Sequence, residues 1–376
     1  MSVNLFRTLL RTALATPNSN WAQQARPQLE SATPLEWQQA WETLAWHRLL
    51  PLTAYSLEAQ GLTDLVPPEY LAKLQYSYHQ TLTQNTVLLL SLDGLLRAMQ
   101  EREVHPVLWK GIVMADSFYP DLGTRPMVDI DFAIAASEMA KATAAFESLG
   151  FGLQPQMSTE DAVYFANPMG VACDVHHRVR LFEGKESMNL TVDVKPQRLK
   201  APTFKILEPN AMLVHLVFHL NGHLGEMGPM LSWMLDIAFV LRQWGNSIDP
   251  VRLEKLMPEK RHWVSLFRIL RFLESEFDEP IPKCLAEAAG KFAPFTLEEI
   301  LRQRRLTVWE LPNLRGWLRV CASRLGMKLN RTYPTLHGED LVGWVGDAVT
   351  AHRMANQPIP QWREMPLSDA LPMQVC

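Results

Sequence analysis

The 376-residue chain is 47% hydrophobic and 20% charged, with a formal net charge of −4. That balance supplies core for two or three domains and excludes both intrinsic disorder and a generic polyanion binder. Four widely spaced cysteines (Cys173, Cys284, Cys321 and Cys376) contain no CxxC pair, which excludes a disulfide framework and a zinc knuckle and fits a reducing compartment.

In chain order, MSVNLFRTLLRTALATPNS reads as a mildly basic amphipathic first helix rather than a signal peptide. No apolar run approaches the roughly 18 residues needed to span a bilayer, so the expectation is a soluble cytoplasmic protein. Leu5, Leu9 and Leu10, and then Trp37, Trp41, Leu44 and Ala45, recur at helical spacing. TLTQNTVLLLSLDGLLRAMQE predicts a long apolar helix ending near Glu101, and no strand is expected before residue 104.

The pattern then changes. VHPVLW predicts a short strand ending at Lys110-Gly111. MVDIDFAI alternates, placing Val128, Ile130, Phe132 and Ile134 on one face and Asp129 and Asp131 on the other. SEMAKATAAFESLG predicts a helix with Ser137 as N-cap and Gly150 as its stop. AVYFAN and VACDVHHRV flank Asn167-Pro168-Met169-Gly170, a hairpin turn. From Glu208 the chain is helical again, with Pro209 in a first turn before AMLVHLVFHL. LSWMLDIAFVLRQW and VSLFRILRFLESEF follow, and a Pro-rich tail begins at about residue 355. The expected fold is α+β: a small mixed sheet over residues 101–206, flanked by helical domains at 1–100 and 207–354, with a tail at 355–376.

Side chains in a strand repeat with period two, so Asp129 and Asp131 would project about 7 Å apart on one face. The pair admits two readings. It is either an exposed polar face, or a grip for a hard divalent cation. Buried without a cation, one carboxylate would have to take a proton. Asp174 in VACDVHHRV lies opposite the core-like Cys173 and Val175. If its strand neighbours the first, three carboxylates form a two-metal site for phosphoryl transfer. Gly111, between a strand and a helix, would let backbone N–H groups approach a phosphate, with Lys110 and Arg125 adding positive charge.

WKGIVMADSFYPDLGTRPMVDIDFAI resembles the signature of the uncharacterised bacterial nucleotidyltransferase family within the DNA polymerase β-type superfamily. The likeness continues through CDVHHRV, ILEPNAMLVHLVFHL and WMLDIAFVL, covering about residues 100–245. It implies Mg²⁺ on Asp129 and Asp131 (two ions in all), Asp174 as third carboxylate, Gly111 as phosphate-loop glycine and an NTP as substrate. The chain departs from the pattern at Ile112, where many active members carry Ser or Gly. About 17 residues separate Gly111 from Asp129, more than in compact versions.

His215, His219 and His223 recur at i, i+4 and i+8, as a weak metal motif or, for His219, a lining of the nucleotide cleft. His176 shares the Asp174 face and could touch a phosphate or the acceptor, whereas His177 points away. Asp236, in an apolar helix, is expected to be a buried, paired carboxylate that orients a neighbour. From Arg302 to Arg331 eight Lys/Arg face one acid, Glu310, with Trp309 and Trp317 interleaved. This is either a solvated basic face or a nucleic-acid surface. The predicted activity is transfer of a nucleoside monophosphate from an NTP to an unknown acceptor (small molecule, protein or RNA). The alternatives are a toxin-type enzyme acting on tRNA and a non-catalytic nucleotide-binding module.

Overall fold

The computed structural model describes residues 3–15, 20–179, 189–198, 204–223 and 230–289, which lie in a compact unit formed by residues 1–303. Five helices come first: α1 (Val3–Leu14), α2 (Trp21–Ser31), α3 (Pro34–Trp46), α4 (Leu50–Ala59) and α5 (Pro68–Gln100). Leu5, Leu9, Leu10, Trp37 and Leu44 are buried as their spacing predicts. No strand precedes residue 104 among the described residues. Helix α5 starts well before the apolar run that betrays it, because Pro68 at its first turn needs no N–H partner.

A seven-stranded mixed sheet follows: β1 (Val107–Leu108), β2 (Ile130–Ala133), β3 (Gly152–Leu153), β4 (Ala162–Ala166), β5 (Ala172–His176), β6 (Thr191–Val194) and β7 (Phe204–Leu207), in the order β3-β4-β5-β2-β1-β7-β6. Strand β2 lies at the centre, antiparallel to β1 and parallel to β5. Between β1 and β2 run the four-residue helix α6 (Lys110–Val113), a π-turn over Met114–Phe118 and a 3₁₀ turn over Leu122–Thr124.

Helix α7 (Met139–Ser148) covers one face, where Phe146 stacks on Phe165 at 4.3 Å and meets Phe132 edge-on at 5.9 Å. Gly150 ends it as expected: it is left-handed (φ 79°), Gly150 N–H donates to Glu147 O, and Phe151 N–H to Phe146 O. The expected cap at Ser137 is corrected, since Ser137 sits in a preceding 3₁₀ turn and Glu138 occupies the cap position. The β4–β5 hairpin turns at Asn167–Gly170, with Gly170 left-handed (φ 80°) and Asn167 Oδ1 accepting from Met169 and Val171 N–H.

Helices α8 (Pro209–His223), α9 (Leu231–Trp244), α10 (Pro250–Leu256), α11 (Lys260–Phe277) and α12 (Lys283–Ala289) complete the described part. Helix α8 packs on β7, α9, α10 and α11, and α9 reaches the π-turn. None of the described helices is long and apolar enough to cross a membrane.

Candidate active site

The alternation read into MVDIDFAI is realised over fewer residues than expected. Only Ile130–Ala133 pair as strand and all four are buried, while Val128 is 53% exposed. The strand is central, so both faces are covered. Ile130 and Phe132 meet Cys173 and Val175 of β5 in the core, and Asp131 lies beside Asp174 on the other face. The parallel register thus brings together two carboxylates 43 positions apart.

Asp131 is almost fully buried, whereas Asp129, just ahead of the strand, and Asp174 are half-buried. His176, two residues beyond Asp174, contacts it through Nε2 at 2.9 Å. Ligand atoms of Asp131, Asp174 and His176 all lie within 4.8 Å of one another. Lys110 Nζ donates to Asp131 Oδ1 at 2.7 Å.

The electrostatics follow from the crowding of like charges in a partly buried site. Burial and the adjacent Asp131 push the Asp129 carboxyl up to about 7, against the pull of Lys110 and Arg125. Burial would also raise Asp174, but its contact with His176 and the charge of Lys110 hold it below the ordinary carboxylate value. Burial pulls the Lys110 ammonium down, and the carboxylates, Asp131 foremost, more than reverse it. Tyr164, on β4 beside Asp174, is pushed up to about 12 by burial and by Asp129 and Asp174.

Lys110 is the left-handed residue of the β1–α6 turn (φ 52°), although Gly111 follows it. A Cβ at Gly111 would meet Arg125 Nη1 at 3.1 Å and Met127 Cγ at 3.2 Å, so the glycine is required for close packing of the loop. Ile112 is buried and presents nothing to a ligand. Helix α6 has a single turn, too short for its N-terminus to hold an anion as the Gly111 reading expects.

Arg125 is likewise not a free phosphate ligand. Its guanidinium forks onto Asp236 at 2.7 and 3.2 Å, and Tyr119 O–H donates to the same carboxylate at 2.8 Å. Asp236 is therefore the buried, paired group its apolar helix predicts. Aromatic rings run from the carboxylates toward this pair: His176 edge-on to Trp109, Trp109 stacked on His215 at 4.7 Å, His215 beside His219, and His219 edge-on to Trp233. The sequence reading put His219 at the cleft but missed Trp109 and Trp233. Segment 302–331 lies outside the described residues.

Two supports were also missed, because their partners are distant in sequence. Tyr78 O–H and Gly123 N–H both donate to Asp121 Oδ1, while Asn85 Nδ2 donates to Leu122 O and Arg125 O, so α5 clamps the loop before β2. Arg198 donates to the carbonyls of Ala115, Asp116, Tyr119 and Pro120, and the buried Asp116 accepts from Gln197 and Arg198 N–H. The long spacing between Gly111 and Asp129 is this clamped double turn.

The family model described as uncharacterised nucleotidyltransferase matches residues 33–277, well over half of the chain. The mixed sheet with its central carboxylate pair thus belongs to a nucleotidyltransferase, and the chain is a member of that uncharacterised family. No curated protein matches it. Among solved structures it is similar to the antibiotic-resistance factor ANT(2″)-Ia in solution (13% identity, 52% of this chain and 98% of that one, TM-score 0.37). The crystal structure of ANT(2″)-Ia with adenylyl-2″-tobramycin matches at 13% identity over 46% of this chain and 94% of that one, TM-score 0.35. An antigenic nucleotidyltransferase-like protein from Paracoccidioides brasiliensis matches at 14% identity over 54% and 94%, TM-score 0.34.

Proposed function

We propose that the chain transfers a nucleoside monophosphate from an NTP to an acceptor hydroxyl, releasing pyrophosphate, with Asp129, Asp131 and Asp174 holding Mg²⁺. The observation that carries this reading is the register of β2 and β5, which sets Asp131 and Asp174 side by side with His176 at hand. The donor set fits a hard divalent cation: Asp129 is crowded enough to hold its proton near neutrality, a surplus of negative charge that a cation relieves. Bound Mg²⁺ would neutralise phosphate charge and acidify the acceptor oxygen.

The side chains divide the remaining work. Asp174, kept ionised by His176 and Lys110, orients the acceptor hydroxyl and takes its proton. Lys110 holds Asp131 and turns its positive charge to the phosphates. Arg125, tied to Asp236, and Gly111, packed against Arg125, shape the loop beneath the triphosphate rather than gripping it. His176 and His219 border the nucleotide along the aromatic run. The core at 101–206 is read as carrying the chemistry, with helical domains at 1–100 and 207–354 and a tail at 355–376.

The test is incubation with each radiolabelled NTP, Mg²⁺ and a cell extract split into RNA, protein and small-molecule fractions. The wild type should label one fraction, and the Asp129→Ala/Asp131→Ala variant none. Equal labelling by both overturns the carboxylate mechanism. NTP binding without any transfer supports the non-catalytic module instead.

A further inference from the structure

Helix α3 ends in a Schellman motif: Leu49 N–H donates to Leu44 O at 2.8 Å and Arg48 N–H to Ala45 O at 3.0 Å. The left-handed position of that motif ordinarily belongs to glycine, yet here it holds Arg48 (φ 57°). Strained, non-glycine residues of this kind gather at ligand sites, where the side chain is needed. Arg48 is exposed and has no ion-pair or hydrogen-bond partner for its guanidinium among the described residues.

Its surroundings connect it to the candidate active site. Arg48 lines a small cleft with Tyr119, Thr124, Arg125, Ser232 and Trp233. Asp236 neutralises Arg125 there, so Arg48 is the unmatched charge. Desolvation where the side chain meets the cleft and the like charge of Arg125 lower its guanidinium, and Asp129 pulls the other way, which places Arg48 within electrostatic reach of the carboxylate site. The cleft volume is about 20 Å³, room for one or two ligand oxygens rather than a nucleotide.

We propose that Arg48, contributed by the helices ahead of the sheet, is an anion-binding residue of the nucleotidyl-transfer site and grips the polyphosphate tail of the NTP at the mouth of this cleft. The assignment rests on the nucleotidyl-transfer reading given above. It provides the phosphate-binding cation that Arg125 cannot be and that the Ile112 position does not replace. It also explains why an arginine occupies a backbone position better suited to glycine.

Calorimetric titration of the full chain with each of the four NTPs plus Mg²⁺, and separately with inorganic tripolyphosphate plus Mg²⁺, tests this. Arg48→Gly should weaken the preferred NTP and tripolyphosphate alike by about tenfold, the loss of one charge-assisted contact, while Arg48→Lys recovers part of it. The thermal midpoint of Arg48→Gly should equal or exceed that of the wild type, which separates lost binding from lost folding. Wild-type affinity in Arg48→Gly overturns the assignment, as does a weakened NTP with unchanged tripolyphosphate. A wild type that binds no NTP overturns the nucleotidyl-transfer reading and this assignment with it.

Discussion

Two charged groups show at residue scale how this core tolerates polarity. Asp236 and Arg125 are both nearly buried, a placement whose desolvation is offset only by good geometry. The fork from Arg125 and the third donor, Tyr119, fill the carboxylate's accepting positions. His215 lacks such compensation: Nε2 has no hydrogen-bond partner among the described residues, and burial, with the like charges of Lys110 and His176, pushes the imidazole down to about 3. That value lies below the ordinary ~6.5, so as the pH falls the unfolded chain takes up the proton before the folded one does. The contribution of His215 to stability is therefore complete above about pH 6.5 and is lost on descent toward 3, by up to about 1.4 kcal/mol per unit. Urea denaturation of the wild type should show a loss between pH 6.5 and 4.5 that His215→Phe, which can keep the stack on Trp109, largely escapes. Parallel losses in the two proteins would refute a neutral, buried His215.

The loop ahead of β2 depends, at the scale of elements, on being held from outside. A Cβ at Gly123 would fall 2.6 Å from Tyr78 Cε2, and Tyr78 is itself fixed by Asp121. Gly123→Ala must therefore displace either α5 or the loop that delivers Asp129. The expected cost is about 1–3 kcal/mol, as for other overpacked sites, with a fall in nucleotidyl transfer beyond what the lost stability accounts for. Denaturation midpoints and transfer rates measured on the same preparations check both, and unchanged values would mean that the clamp yields. The clamp also shows what local pattern reveals. The Asp129–Asp131 spacing, the Gly150 stop and the Asn167–Gly170 turn were legible because each depends on residues a few positions apart. Pairing of β2 with β5, Tyr78 on Asp121 and Arg198 on the π-turn join segments some 40 to 80 residues apart, and no periodicity encodes them. The left-handed backbone at Arg48 and Lys110 was not legible for a related reason: such positions ordinarily belong to glycine, and both turns use a cation.

Across the whole described unit, the site is assembled from far more chain than the signature spans. Tyr78 and Asn85 come from α5, Lys110 from the start of α6, Asp131 from β2, His215 from α8 and Asp236 from α9. A ligand that binds the carboxylates therefore draws on contacts across the fold, and its binding energy adds to the stability of the unit as a whole rather than to one loop. At a ligand concentration 100 times its Kd, that addition is about 2.7 kcal/mol. A non-transferable NTP analogue with a methylene bridge between its α- and β-phosphorus, given together with Mg²⁺, should raise the thermal midpoint of the wild type by several degrees. Removing Mg²⁺ with a chelator should cancel most of the rise. In Asp129→Ala/Asp131→Ala the Mg²⁺-dependent part should vanish, whereas any Mg²⁺-independent part, carried by Arg48 and Lys110, should remain. A midpoint in that variant that still rises with Mg²⁺ as in the wild type would place the cation somewhere other than on the carboxylates of β2.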